Sequence, residues 1–279
     1  MSAYLDYQFE DSPEFVDTFD ELPLWSAAFG LLLLKHLPLQ AGLRVLDIGS
    51  GTGFPLLELA GRLGASSWLY GLDPWANANE RARKKIRNYG LRNVEVVQAS
   101  AGDMPFPAQH FDLIVSNLGV NNFDNPQRVF QECHRVLKPQ GKLALTTNLN
   151  GHWQLFYDIF EQTLRQLGNE HLLPGLQAQQ AHRGTIASIS RLFVEAGFAP
   201  PLHHSEQLEM RFWDGSAFLN HHFVKLGWLA SWRDLLPEAE RPAVFAALEQ
   251  HLNTHAQAAG GLILQVPMAY LEAEKTDSG

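Results

Sequence analysis

Residues 45–53 read Val-Leu-Asp-Ile-Gly-Ser-Gly-Thr-Gly, an apolar run that carries one acid and breaks into three alternating glycines. Glycine has no Cβ, so backbone built from it can approach a ligand where another residue would collide. Two ligand classes compete for such a loop. A dinucleotide fingerprint places glycines first, third and sixth, with a helix N-terminus aimed at pyrophosphate. Here the third glycine, Gly53, falls at the fifth position, and Phe54 takes the sixth. Asp47, just ahead of the loop, would repel a pyrophosphate but suits a ligand ammonium. The loop is built for a zwitterion.

Histidine and tyrosine supply the other candidate chemistry. His152 and Tyr157 lie just past an apolar run that ends at Asn148, and His221 and His222 fall in a helical pattern with Phe218 and Leu226. Each is a candidate base for an acceptor that must lose a proton, and each also has a packed or solvated reading. His251 and His255 stand four apart, a metal-ligand spacing on a helix, but no third ligand accompanies them. The expectation is no metal.

The elements around these residues alternate. Arg44 to Ile48, Trp68 to Leu72, Val94 to Val97, Phe111 to Asn117 and Lys142 to Thr147 read as strands. Between them, Leu56 to Leu63, Ala76 to Tyr89 and Asn125 to Leu137 read as helices, the last stopped by Pro139-Gln140-Gly141. Strands alternating with helices predict an α/β fold, a doubly wound, Rossmann-like, mostly parallel sheet with right-handed crossovers. In such a sheet ligands bind outside the carboxyl ends of the strands, which singles out Asp47, Asp73, Asn117 and Asn148. Past Asn148, helices are expected over Trp153 to Leu167 and Ile186 to Ala196. A strand follows near Leu202 to Phe212, then a helical stretch from Asp214 to Gly260 and a closing strand from Leu262 to Leu271.

Composition bounds the function. The 279 residues are 46% hydrophobic, and 21 Lys and Arg face 30 Asp and Glu, for a net charge of −9. A nucleic acid or an anionic membrane surface would require the opposite sign. The single cysteine, Cys133, removes the disulfide-framework class and any site needing several thiolates. No run of eighteen apolar residues exists, and seven acids with no base precede Lys35, unlike a secretory leader. These features predict a cytoplasmic protein whose partner is a small-molecule substrate. They do not address oligomeric state.

The stretch from Leu43 to Asn148 resembles the class I S-adenosylmethionine-dependent methyltransferases, particularly the small-molecule branch that includes quinone-biosynthesis enzymes. Asp-x-Gly-x-Gly-x-Gly after a strand looks like that family's first motif. The resemblance implies that Asp47, Gly49, Ser50, Gly51, Thr52 and Gly53 hold the methionine part of the cofactor S-adenosylmethionine. It implies that Asp73 accepts from the ribose hydroxyls and that Pro74 and Trp75 flank the adenosine. Residues 98–106, Gln-Ala-Ser-Ala-Gly-Asp-Met-Pro-Phe, resemble the segment whose acid meets the adenine amino group, but Ser100, followed by Ala101, stands in that acid's place. Asn117, Leu118 and Gly119 match the end of the fourth-strand motif, beside the methyl group. Arg135 to Lys142 resembles the family's turn into the fifth strand.

The resemblance also implies a seventh strand antiparallel to the rest, with insertions opening at the ligand end of the sheet. Trp25, Trp153, Phe156, Tyr157, Trp213, Phe218, Phe223, Trp228 and Trp232 are expected to roof a closed, largely apolar pocket. Trp25, Asn121, Asn122, Asn148 and Trp213 are the expected substrate contacts. The chain is read as a single methyltransferase domain over 1–279. It comprises a helical lid (1–40), a cofactor-binding core (41–150), sheet completion with a helical cap (151–260, insert 214–260) and a closing strand and tail (261–279). Methyl transfer to O, N or C of a small, partly apolar metabolite is the expected reaction. A catalytically silent binding subunit and an aminopropyltransferase-like enzyme are the alternatives.

Overall fold

In a computed structural model of the protein, residues 3–6, 11–20 and 24–276 are described. The chain opens with a 3-10 turn (Ala3–Asp6), α1 (Pro13–Asp20) and α2 (Leu24–His36). It continues through β1 (Arg44–Ile48), α3 (Leu56–Leu63), β2 (Trp68–Leu72), α4 (Ala76–Tyr89), β3 (Val94–Val97), β4 (Phe111–Asn117), α5 (Pro126–Val136) and β5 (Leu137–Asn148). Then follow α6 (Gln154–Gln166), α7 (Leu173–Ala181), α8 (Ile186–Glu195) and β6 (Leu202–Phe212). The short helices α9 (Gly215–Asn220), α10 (His222–Val224) and α11 (Ala230–Asp234) lead to α12 (Arg241–Ala259) and β7 (Leu262–Glu274). Parts of the expected lid and tail (1–2, 7–10, 21–23 and 277–279) lie outside the described residues. Among the described residues no helix is long and apolar enough to cross a membrane.

The seven strands form one sheet in the order β3-β2-β1-β4-β5-β7-β6. β1 pairs in parallel with β2 and β4, β2 with β3, and β4 with β5, whereas β7 runs antiparallel to β5 from Lys142↔Glu274 to Asn148↔Met268. The near-continuous apolar runs of the central strands follow from burial on both faces. Val45, Leu46 and Ile48 of β1 and Leu113, Ile114 and Val115 of β4 are all buried, as is the predicted α3 face of Leu56, Leu57, Leu59, Ala60 and Leu63.

The fifth strand departs from expectation at its start. It begins at Leu137 rather than Lys142, because Phe111 pairs with Leu137 and Leu113 with Lys142. β4 thus advances two residues while β5 advances five, and residues 138–141 loop out. The turn signal there is real, but it sits inside the strand. Gln140 takes a left-handed φ of 63°, and a Cβ on Gly141 would lie 2.9 Å from the Lys138 carbonyl.

The residues divide into two compact units. One comprises Asp11–Asn148, Thr185–Glu206 and Met268–Gly279, and the other Met1–Glu10, Leu149–Gly184 and Gln207–Pro267. Within the first, a part-buried ion pair fixes the segment after β3. Arg135 on α5 donates from Nε and Nη2 to the two carboxylate oxygens of Glu132 at 2.8 and 2.7 Å. The same guanidinium donates to the Phe106 and Met104 carbonyls at 2.7 and 3.0 Å, while Glu132 accepts from the Met104 amide at 2.9 Å. One planar fork therefore ties residues 104–106 to α5.

Arg135→Ala should lower stability by about 2 kcal/mol at neutral pH. That is below the ~3–5 kcal/mol of fully buried pairs because the Arg135 side chain is 37% exposed. The Arg135 hydrogen bond, outweighing burial, holds the Glu132 carboxyl below its ordinary 4.5. Its contribution is therefore complete above that unfolded value and is lost as pH falls through the lower folded one. Urea titrations of both proteins across this acid range should show the wild-type advantage shrinking.

Candidate active site

The glycine loop grows directly from β1. The Gly49 and Ser50 amides donate to the Leu72 carbonyl at 2.8 and 3.3 Å, which joins the ends of β1 and β2, and Gly53 donates back to Ser50 at 2.8 Å. Gly51 carries a φ of +49°, and nothing lies within 4 Å of where its Cβ would be. At Gly51 the loop therefore presents bare backbone to open space, whereas a Cβ on Gly53 would meet Leu57 at 3.0 Å. On the other side, Ser116 Oγ donates to the Ile48 carbonyl at 2.9 Å and draws the end of β4 against β1. Gly119 allows this approach, since its Cβ would stand 3.1 Å from that carbonyl.

Two carboxylates converge here. Asp73 ends β2; its Oδ2 accepts from the Gly51 amide and its Oδ1 from the Trp75 amide, both at 2.9 Å. Burial raises its pKa and those two amides offset part of the rise. Each oxygen keeps a lone pair for a hydroxyl donor. Asp47 is fully buried, and neither of its oxygens has a hydrogen-bond partner among the described residues. Burial first, and then the nearby charge of Asp73, push its pKa well above the ordinary carboxylate value, against a smaller lowering by the Leu56 amide. A positive ligand group would relieve both causes.

The ends of β4 and β5 are laced by side-chain hydrogen bonds. Thr146 donates to Asn117 Oδ1 at 2.8 Å, and Asn117 Nδ2 donates to the Ser26 carbonyl of α2 at 3.0 Å. Thr147 donates to Asn121 Oδ1 and Asn121 Nδ2 donates to Asn148 Oδ1, both at 2.8 Å. Asn148 Nδ2 ends this chain, buried and without a partner among the described residues. Leu118, between them, holds a left-handed φ of 67°, unusual for a branched side chain. Asn122 is exposed and stands outside this network.

Toward the rim, Ser100 is exposed and its Oγ accepts from the Gly102 amide at 3.2 Å, while Ala101 is buried. Pro74 is exposed and Trp75 half-buried. Sequence reading missed Asp11. Its Oδ1 accepts from Trp75 Nε1 at 2.7 Å and from Asn77 Nδ2 at 3.0 Å, which hold its carboxyl below the ordinary range. Arg81 and Asp17, 3.1 Å apart, continue the tie between the N-terminal segment and α4. No local motif announces a pairing across more than sixty residues. Trp25 is half-buried, its ring 5.1 Å from that of Phe29.

His152, Tyr157, His221 and His222 belong to the other unit. His152 is buried, and burial followed by the positive charge of Arg183 lowers its pKa to about 3. Tyr157 accepts from Trp232 Nε1 at 3.3 Å, and burial raises its pKa. Burial, then His222 and Lys225, lower that of His221, whose Nδ1 is buried without a partner among the described residues. His222 is half-buried at the start of α10. The aromatics expected to line a pocket are largely this unit's own core. Trp153, Phe156, Phe218 and Trp232 are fully buried, with ring centroids 4.3 Å apart for Phe156–Trp232 and 5.1 Å for Trp153–Phe218. Trp213 is instead 83% exposed: Phe212 takes the inward position against Phe218, and its successor turns outward.

Residues 46–145 match a family model described as a methyltransferase domain. A demethylmenaquinone methyltransferase from Listeria monocytogenes serotype 4b is 30% identical over 175 residues, 60% of this chain and 74% of that protein. The chain belongs to the class I S-adenosylmethionine-dependent methyltransferases. Solved structures agree on the fold. The YcgJ protein of Bacillus subtilis superposes with a TM-score of 0.61 at 18% identity, covering 90% of this chain and all of that one. A phosphoethanolamine N-methyltransferase 2 of Haemonchus contortus, in complex with S-adenosyl-L-methionine, gives 0.53 at 19% identity, over 89% of this chain and 52% of its own.

The methyltransferase uses S-adenosylmethionine, and the residues present fit that molecule. An unpartnered buried carboxylate answers an ammonium, bare glycine backbone admits close approach, and Asp73 retains lone pairs for a diol. Because a cation at Asp47 lowers a raised pKa, binding should release a proton there and tighten as pH rises through that pKa. Isothermal titration of S-adenosylmethionine into wild type should show this dependence, and Asp47→Asn should bind more weakly with a flattened profile.

Proposed function

We propose that this methyltransferase moves a methyl group to O, N or C of a small, partly apolar acceptor. In this reading Asp47 receives the methionine ammonium, and Gly49, Ser50, Gly51, Thr52 and Gly53 pass their backbone along it. Asp73 takes the ribose hydroxyls, Pro74 and Trp75 border the base, and Ser100 and Ala101 lie at its edge. Asn117, Leu118 and Gly119 stand beside the methyl. The orphaned Asp47 carboxylate at the end of β1 carries the proposal. A group so costly to bury is retained where a ligand completes it.

S-adenosylmethionine supplies an activated sulfonium methyl, which needs alignment and exclusion of water more than acid–base help. The Asn117–Thr146 and Asn121–Thr147–Asn148 hydrogen bonds stiffen the floor of such a site, and the unpartnered Asn148 Nδ2 is a donor for the acceptor. Asn121 positions Asn148, and Trp25 adds apolar surface; Asn122 and Trp213 are too exposed to bury an acceptor. His152, with a pKa lowered to about 3, is a weak base at neutral pH. His221 and His222 remain candidate bases, and the acceptor's own acidity is the alternative source of the nucleophile. The relative named for demethylmenaquinone is in keeping with an acceptor that has an apolar body. The net charge of −9 disfavours nucleic acid and supports a cytoplasmic small-molecule enzyme. Both compact units belong to one methyltransferase domain in this reading.

Protein incubated with methyl-deuterated S-adenosylmethionine and a metabolite extract should yield a small molecule heavier by one labelled methyl group, detected by mass spectrometry. Label confined to macromolecules would overturn the proposal. Asp73→Ala should weaken donor binding about tenfold or more, the loss expected for hydrogen bonds to a charged group. Unchanged donor affinity would show the ribose contact to be misassigned.

A further inference from the structure

Trp75 stands between the end of β2 and the start of α4, and its main chain is fixed on both sides. Its amide donates to Asp73 Oδ1 at 2.9 Å, and its carbonyl accepts from the Asn79 amide at 3.1 Å in the first turn of α4. The ring is half-buried, and such a ring is held by fewer neighbours than one in a core. Its far tip is instead held by Asp11, 64 residues upstream, whose Oδ1 accepts from the indole Nε1 at 2.7 Å. The same oxygen accepts from Asn77 Nδ2 at 3.0 Å, which ties the carboxylate to α4 as well. These two donors, Asn77 ahead of Trp75, lower the carboxyl's pKa, so Asp11 is an anion at neutral pH. The segment that carries it is seated a turn further on, where Val16 is buried and Asp17 pairs with Arg81 at 3.1 Å. All of these residues belong to one compact unit.

Once its main chain is fixed, a tryptophan side chain keeps two torsions, and a hydrogen bond at the far edge of the indole sets both. A carboxylate acceptor makes that bond charge-assisted and stronger than one to a neutral oxygen. The ring so held adjoins Asp73, whose oxygens accept from the Gly51 and Trp75 amides and keep lone pairs for a diol. A nucleoside base is joined to the sugar that carries such a diol, so the base must lie close to the ring. Ser100, on the base's other edge in this reading, offers a hydroxyl oxygen that already accepts from the Gly102 amide. The flat faces of a purine are met best by an aromatic surface, because stacking does not depend on the groups at the base's edge. A ring fixed in advance leaves less to be ordered when the ligand arrives.

We propose that Asp11 is a positioning residue for the methyl donor: by accepting from the Trp75 indole N–H, it holds that ring in place as a wall for the adenine base. The inference rests on the reading that puts Asp73 at the ribose and Trp75 at the base, and it adds a residue of the N-terminal segment to the donor site. Asp11 itself touches neither donor nor acceptor and acts only through Trp75.

Isothermal titration of S-adenosylhomocysteine into the full chain and its variants tests the inference as a double-mutant cycle. Asp11→Ala should weaken binding about fivefold, the effect of one charge-assisted hydrogen bond discounted for its exposure. Asp11→Asn, which keeps an oxygen acceptor without the charge, should fall between wild type and Asp11→Ala. Phenylalanine has a ring but no N–H, so in a Trp75→Phe background the Asp11→Ala change should cost less than about 1.5-fold. 5′-Methylthioadenosine, which keeps the base and ribose but not the amino-acid part, should lose the same factor as S-adenosylhomocysteine on Asp11→Ala. Wild-type affinity in Asp11→Ala, losses that multiply in the double variant, or a loss for S-adenosylhomocysteine with none for 5′-methylthioadenosine each overturn the role of Asp11. Trp75→Ala distinguishes this from failure of the underlying reading. If Trp75→Ala binds S-adenosylhomocysteine as wild type does, the placement of Trp75 at the base is refuted and the inference falls with it. If Trp75→Ala weakens binding and Asp11→Ala does not, the placement stands and the inference alone is overturned.

Discussion

A carboxylate sealed from water with no hydrogen-bond partner among the described residues is among the least favourable groups a fold can contain, and Asp47 is such a group. The surrounding architecture serves to keep it there. The apolar residues of β1 bury it, the three glycines after it leave backbone instead of side chains, and Asp73 adds a second negative charge close by. The sheet accepts this unfavourable site because the parallel strands on either side are packed on both faces. A molecule that brings positive charge and hydroxyl donors to the strand ends supplies what the fold withholds.

The strands were legible because burial on both faces leaves a plain mark in sequence. Val45-Leu46, Leu113-Ile114-Val115 and Leu143-Ala144-Leu145 are runs that only a covered sheet would require. The strand-end rule then pointed to Asp47, Asp73, Asn117 and Asn148, and all four are buried polar residues at those strand ends. What escaped was set by distant partners. Asp11 meets Trp75, Ser116 meets the Ile48 carbonyl, and Glu132 meets residues 104–106 through Arg135. None of these pairs has a spacing signature, because each depends on the completed crossover connections. The start of β5 escaped for a different reason: a turn signal does not say whether it ends a strand or bulges from one.

The aromatic residues of the second unit carry a related lesson. Their number suggested a ligand pocket, yet Trp153, Phe156, Phe218 and Trp232 bury one another. Large rings at helical spacing fill a core first, and the exposed Trp213 shows that abundance does not assign a role. The informative residues of that unit are the polar ones held among the rings. Burial, together with the positive charge of Arg183, keeps His152 neutral.

The Arg135 fork also constrains how this sequence can drift. Its guanidinium touches both oxygens of Glu132 and the carbonyls of Met104 and Phe106, four acceptors held in one plane's reach. A lysine keeps the charge but has no fork to span them. The usual single-nucleotide exchange between basic residues is thereby closed at this position. At residues 104–106 Arg135 reads main chain, so the side chains there answer only to their own packing, Met104 to burial and Phe106 to the Phe111 ring 4.9 Å away.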